Sequence, residues 1–88
     1  MEIIYSDEAQ RDIDYWKKSG NKIVQRKIQQ LLDAIEENPH DGIGKPEPLR
    51  HRFSGLWSRR INREHRIIYQ LLENNQTIKV YSLKGHYE

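Results

Sequence analysis

The sequence predicts an α+β fold in which a two-helix hairpin covers one face of a small, mostly antiparallel β-sheet, in the order β-α-α-β-β-β. Three observations predict it. A short β-branched and aromatic run precedes two segments whose apolar residues recur at helical spacing. Those two segments are separated only by Ser19-Gly20-Asn21, a link suited to an αα-hairpin. Beyond a proline- and glycine-rich loop come strand-like runs divided by short turns, the pattern of an antiparallel meander.

Glu2-Ile3-Ile4-Tyr5 reads as the first strand. Ser6 then offers an N-cap oxygen, and Asp7 and Glu8 fall in the first helical turn, where they oppose the helix dipole. Ala9, Ile13 and Trp16 share a helix face, and the helix is expected to stop near Ser19-Gly20. Asn21 can cap the second helix. Its stripe is Ile23, Val24, Ile28, Leu31, Leu32 and Ile35, and Asn38-Pro39 ends it.

Residues 39–48 (PHDGIGKPEP) hold all three prolines and two of the five glycines, so they form a surface loop. Gly42-Ile43-Gly44-Lys45 lacks the spacing of a phosphate loop, and Pro46 stands where Ser or Thr would follow the lysine. The expected strands are Leu49–Phe53 running into Leu56–Ile61, then His65–Leu72, then Thr77–Leu83. Ser54-Gly55, Asn62-Arg63-Glu64 and Asn74-Asn75 supply the turns. Strand alternation sets Arg66, Ile68, Gln70 and Leu72 against His65, Ile67, Tyr69 and Leu71. Both sides are partly apolar, so alternation leaves the buried one open. Of Arg59 and Arg60, one is expected to face the helices and the other the uncovered face, which is free to carry charge.

Eighty-eight residues, 35% hydrophobic and 32% charged, make a single domain spanning 1–88 with one thin core. The aromatic residues must supply much of that core, because Phe53 is the single phenylalanine. With no cysteine, disulfides and thiolate metal sites are excluded. The N-terminal MEIIYSDEAQRD has no basic segment followed by an apolar run, and no stretch approaches the roughly 20 apolar residues of a membrane span. A cytoplasmic protein without membrane contact is expected.

Charge is distributed unevenly. The net charge is +2, but residues 1–43 carry −3 and residues 44–66 carry +5. The basic third contains Lys45, Arg50, Arg52, Arg59, Arg60, Arg63 and Arg66 against Glu47 and Glu64. It reads either as a solvated strand face or as a surface for a polyanion. The excess of arginine over lysine favours the second, because guanidinium grips phosphate bidentately.

Within this stretch Glu47 lies between Pro46 and Pro48, so its backbone is restricted to extended geometry. It is either a loop acid or a carboxylate placed to accept a proton. Arg66 sits mid-strand, either paired with Glu47 or Glu64 or presented to a ligand. His86 titrates near neutrality, which suits proton donation to a leaving oxygen. His40, His51, His65 and His86 include no pair at helical metal-ligand spacing, so no metal or cofactor is expected. No glycine-flanked serine elbow supports nucleophilic catalysis. What remains is an acid–base set with arginines. RNA suits such a set, because its own 2′-OH can be the nucleophile.

The strings KPEPL, SGLWSRRI, EHRIIY and the terminal HY, with SDEAQRDIDYW and the second helix, resemble the YoeB/Txe toxins of the RelE superfamily over essentially the whole chain. The resemblance implies a RelE-like fold and a ribosome-dependent endoribonuclease that cleaves mRNA in the A site and inhibits translation. It also implies a YefM/Axe-type antitoxin that masks the site, with operator DNA reached only through the toxin–antitoxin complex; a homodimer is a further expectation. By the resemblance the general base falls on Glu47, the charge-stabilising arginine on Arg66, the general acid on His86 and a substrate-orienting tyrosine on Tyr87. Lys45, Arg50, Arg52, Arg59, Arg60 and Arg63 are expected to bind RNA or the ribosome, with Glu64 and His65 in support. One departure is Glu88, since family members commonly end on the tyrosine. A non-catalytic toxin on the same fold, a gyrase inhibitor or a corepressor, is the alternative. The terminal His-Tyr with Glu47 argues against it.

Overall fold

The computed structural model of the chain describes residues 1–72 and 76–85. The elements are β1 (Glu2–Tyr5), α1 (Asp7–Ser19), α2 (Lys22–Glu37), β2 (Glu47–Pro48), a 3₁₀ turn (His51–Phe53), β3 (Trp57–Arg60), β4 (Arg66–Leu71) and β5 (Thr77–Ser82). One five-stranded sheet runs in the order β1-β5-β4-β3-β2. β1 lies parallel to β5, and every other pairing is antiparallel. The expected β-α-α-β-β-β order and the meander of β3, β4 and β5 are present, with the two-residue β2 added as an edge strand ahead of the meander. The turn expected at Asn74-Asn75 lies outside the described residues.

Local chemistry sets the helix ends. The Ser6 Oγ accepts from the Ala9 N–H at 3.0 Å and donates to the Tyr81 carbonyl at 2.7 Å, so the cap also ties α1 to the sheet. Gly20 ends the helix in the left-handed region at φ 72°, and Asn21 Oδ1 caps α2 through the Val24 N–H at 3.1 Å. Both caps fall where the sequence predicts them.

The core lies between the helices and one sheet face. Ala9, Trp16, Val24, Ile28, Leu31, Leu32 and Ile35 meet Ile67, Tyr69, Ile78, Val80 and Leu83. Each large aliphatic side chain buried there contributes about 1.5–3 kcal/mol. This packing resolves the β4 ambiguity: Ile67, Tyr69 and Leu71 face the helices, and Arg66, Ile68 and Gln70 take the other side. Among the described residues, no helix is long and apolar enough to cross a membrane.

Three expectations need correction. Ile23 is 78% exposed, because the α2 stripe follows Val24, Ile28, Leu31 and Ile35, leaving Ile23 on the side of Lys27 and Gln30. No strand covers Leu49–Phe53. Edge pairing is confined to Glu47–Pro48, after which the Leu49 N–H reaches the Leu56 carbonyl and 3₁₀ bonds close the chain. His51 takes φ 58°, a left-handed conformation incompatible with a continuing strand. The expected surface loop over 39–48 ends early, because Glu47–Pro48 pair with β3 as a short edge strand; on the uncovered face, beside the expected charge, Ser58 and Ile68 are fully buried.

Candidate active site

Register places the candidate residues on that uncovered face. Glu47 on β2 pairs with Ser58 on β3, and Ser58 pairs with Ile68 on β4. Arg66 lies two residues along β4 from Ile68 and reaches diagonally across the sheet, a span open to long side chains. Its Nη1 stands 3.5 Å from Glu47 Oε1 and donates to Ser58 Oγ at 3.4 Å. Of the two acids considered as partners for Arg66, Glu47 is the one within ion-pair distance, whereas Glu64 sits exposed in the β3–β4 turn. The Glu47 side chain is 58% exposed and that of Arg66 25%, so the pair is open to a ligand.

Arg60 stands directly opposite Arg66 across β3 and β4. Like charges in direct register repel. Glu47, 3.5 Å from Arg66, offsets part of that repulsion. Lys45, Arg60 and Arg63 also line a hollow of about 320 Å³ together with Lys27 from α2. Lys27 is a cation that sequence reasoning missed. Nothing local marks it among the other helix charges; only the fold brings α2 beside the β3–β4 turn. Arg50, His51 and Arg52 line a separate concavity of about 540 Å³ that has Glu47 as one wall, with the Arg52 guanidinium 4.9 Å from the Phe53 ring centre.

Arg59 corrects the expectation that it binds RNA. Its side chain is fully buried on the helix side of β3. The guanidinium donates to Tyr69 Oη at 3.0 Å and to the carbonyls of Ile43, Asn38 and Asp41 at 3.2, 2.5 and 2.9 Å. Tyr69 in turn donates to the Pro39 carbonyl at 2.6 Å. Burial pushes the Tyr69 phenol above its ordinary value, while the Arg59 hydrogen bond and charge pull it the other way. Together the two side chains bind the loop after α2, the segment that delivers Glu47.

Gly44 completes that delivery. Its carbonyl accepts the Arg60 N–H at 2.7 Å, and a Cβ there would lie 2.6 Å from Leu31 Cδ2. Its φ of 84° and the 52° of Lys45 turn the chain into Pro46-Glu47-Pro48. The proline clamp thus begins from a point fixed to the sheet edge.

His65 lies just before β4, half-buried, with its ring edge-on to Trp16 at 4.9 Å. Gly85 reaches the same corner, its carbonyl accepting from the Arg66 N–H at 2.9 Å. His86 and Tyr87 follow directly in sequence but lie outside the described residues.

Comparison with known proteins agrees with this architecture. The family model for the YoeB-like toxin of bacterial type II toxin–antitoxin systems matches residues 5–87. The chain is 39% identical over 87 residues to the toxin YoeB of Escherichia coli strain K12, covering 99% of this chain and 100% of that one. A YoeB/ParE toxin from Agrobacterium tumefaciens superposes with a TM-score of 0.93 at 32% identity, covering 99% of this chain and 100% of the other. From Staphylococcus aureus, a YoeB dimer superposes at 0.87 with 40% identity, covering 99% of this chain and 98% of the other. A YoeB–YefM complex from the same organism superposes at 0.86 with 42% identity and the same coverage. The chain belongs to the YoeB-like toxins of bacterial type II toxin–antitoxin systems.

Proposed function

We propose that this toxin is an endoribonuclease that cuts mRNA in the ribosomal A site by acid–base catalysis and so inhibits translation. The observation that carries the reading is the Glu47–Arg66 pair, an exposed carboxylate 3.5 Å from a partly buried guanidinium on a surface rich in arginine. Glu47 takes the proton of a ribose 2′-OH, and the 2′ oxygen attacks the adjacent phosphorus. Arg66 stabilises the negative charge that develops on the phosphoryl oxygens. His86 gives a proton to the departing 5′ oxygen, and Tyr87 orients the substrate. The products are a 2′,3′-cyclic phosphate and a 5′-hydroxyl end. No step in this scheme requires a metal or cofactor.

Lys45, Arg60 and Arg63, joined by Lys27, hold RNA phosphates, and Arg50 and Arg52 extend that surface past Glu47. Glu64 stands in the turn between the strands that carry Arg60 and Arg66 and supports the basic surface there. A YefM-type antitoxin is the proposed neutralising partner, by likeness to the Staphylococcus aureus complex. A homodimer is proposed on the same basis. Operator DNA is reached through the toxin–antitoxin complex, and the protein acts in the cytoplasm.

The test is cleavage of mRNA on purified ribosomes in EDTA, with message ends mapped by primer extension. Wild type should cut, and Glu47→Ala and His86→Ala should fold but not cut. Full cutting by both variants, or gyrase-dependent DNA breaks without mRNA cleavage, would sink the proposal.

A further inference from the structure

We infer that His65 is a positioning residue: its imidazole Nδ1 holds the Gly85 amide and thereby fixes the residue that precedes His86 and Tyr87 in the chain. The inference rests on the ribonuclease reading for what those two residues do, but its geometry stands apart from that reading. The Gly85 N–H donates to His65 Nδ1 at 2.9 Å, and the Gly85 carbonyl accepts from the Arg66 N–H at 2.9 Å. Both backbone polar groups of Gly85 are therefore taken by consecutive residues, His65 just before β4 and Arg66 at its start. One of them is the candidate charge stabiliser. The residue before the candidate acid is registered directly to it.

The anchor is itself fixed. The His65 N–H donates to Asn62 Oδ1 at 2.9 Å, and its carbonyl accepts from the Ile61 N–H at 2.9 Å. Its ring meets Trp16 edge-on at an 83° interplanar angle, and the Trp16 indole N–H donates to the Leu83 carbonyl at 2.9 Å. The Leu83 N–H donates to Asp12 Oδ2 at 2.8 Å. After β5 the chain is thus pinned at Leu83 by α1 and at Gly85 by the β3–β4 corner. Gly85 has φ 74°, and open space surrounds the position of an added Cβ. The backbone bend, rather than crowding, is what calls for glycine there.

An imidazole nitrogen accepts a hydrogen bond only when it carries no proton, so Nδ1 is the bare nitrogen in this arrangement. A proton donor one residue beyond such an anchor gains its placement from it. Displacing a reacting group by about 1 Å can cost roughly 10²-fold in rate.

The test exploits isosteres. In His65→Asn the amide oxygen can occupy the Nδ1 position, whereas in His65→Gln it falls near Nε2, and His65→Leu offers no acceptor. In single-turnover cleavage on saturating ribosomes, Asn should keep the rate within about tenfold, while Gln and Leu lose roughly 10²-fold. Ribosome affinity should stay unchanged in all three. A merely structural role would instead make Asn, which loses the ring contact with Trp16, as poor as Leu; that outcome overturns the proposal, as does full activity in Leu.

A second readout needs no RNA. Wild-type protein labelled with ¹⁵N should show a scalar coupling between the Gly85 amide nitrogen and His65 Nδ1, and its absence overturns the inference. If the coupling is present and wild type cuts no message, the anchor stands and it is the ribonuclease reading that fails.

Discussion

Arg59 and Arg66 stand on neighbouring strands of one sheet, yet they meet opposite surroundings. Arg59 is fully buried and donates four hydrogen bonds to a phenol and three loop carbonyls. Arg66 lies near the surface with a 3.5 Å contact to an exposed carboxylate and a 3.4 Å bond to a serine. A guanidinium has five donors in a rigid fork. At Arg59 the fork is spent on holding the loop after α2 in place; at Arg66 the long contacts leave it ready for a ligand. The lesson is that charge type does not assign a role. The pleat decides which side of the sheet an arginine enters, and the partners waiting there decide whether it builds the fold or stays open near the surface.

The largest effect expected from breaking this contrast is on activity. Glu47→Gln should lower ribosome-dependent cleavage by about 10²–10⁴-fold, the range for losing a general base. Its urea midpoint should hardly move, since an exposed pair contributes at most about 1 kcal/mol. Arg59→Ala should behave oppositely, unfolding with a loss of about 3–5 kcal/mol in urea titration, because buried carbonyls and the Tyr69 hydroxyl lose their charged partner. Equal stability losses in the two variants would erase the distinction between the faces.

A smaller loss is expected for Gly44→Ala, about 1–3 kcal/mol by overpacking against Leu31, read by thermal unfolding with cleavage assayed alongside. If the loop delivers Glu47, cleavage should fall at temperatures where the variant is still folded. On the charged face, Arg60→Ala and Lys27→Ala should each lower the slope of log affinity for ribosomes against log salt by about 1. An unchanged slope for Lys27→Ala would remove it from the basic surface.

The smallest effect lies on the buried side. The Tyr69 phenol is held above its ordinary value of 10.0, chiefly by burial. The folded state therefore keeps this proton more tightly than the unfolded chain, and its contribution is complete below pH 10. Stability should fall as pH rises through the folded value. Tyr69→Phe should flatten that alkaline limb in denaturant titrations carried out from pH 9 upward.

Most of the fold is legible in the sequence. Helix caps at Ser6 and Asn21, the stripe from Val24 to Ile35, and the turns before β3 and β4 depend on residues within one or two turns of chain, so local chemistry announces them. The run Leu49–Phe53 misled because its composition suits a strand, while edge prolines and a left-handed His51 end the pairing after Pro48. Ile23 misled because periodicity specifies a stripe and not its outer limit. In the candidate site, Glu47 and Arg66 were legible as chemistry but not as a pair.

The sequence alone determined the α+β order, the proline clamp on Glu47, the excess of arginine around it and the resemblance to the YoeB-like toxins. Tertiary structure decided which of the adjacent Arg59 and Arg60 turns inward, that Arg66 reaches Glu47 rather than Glu64, that Lys27 joins the basic surface and that His65 grips Gly85. The physical reason is distance along the chain. Periodicity and capping act between near neighbours, whereas strand register and the carbonyls of a folded loop exist only once the sheet has closed.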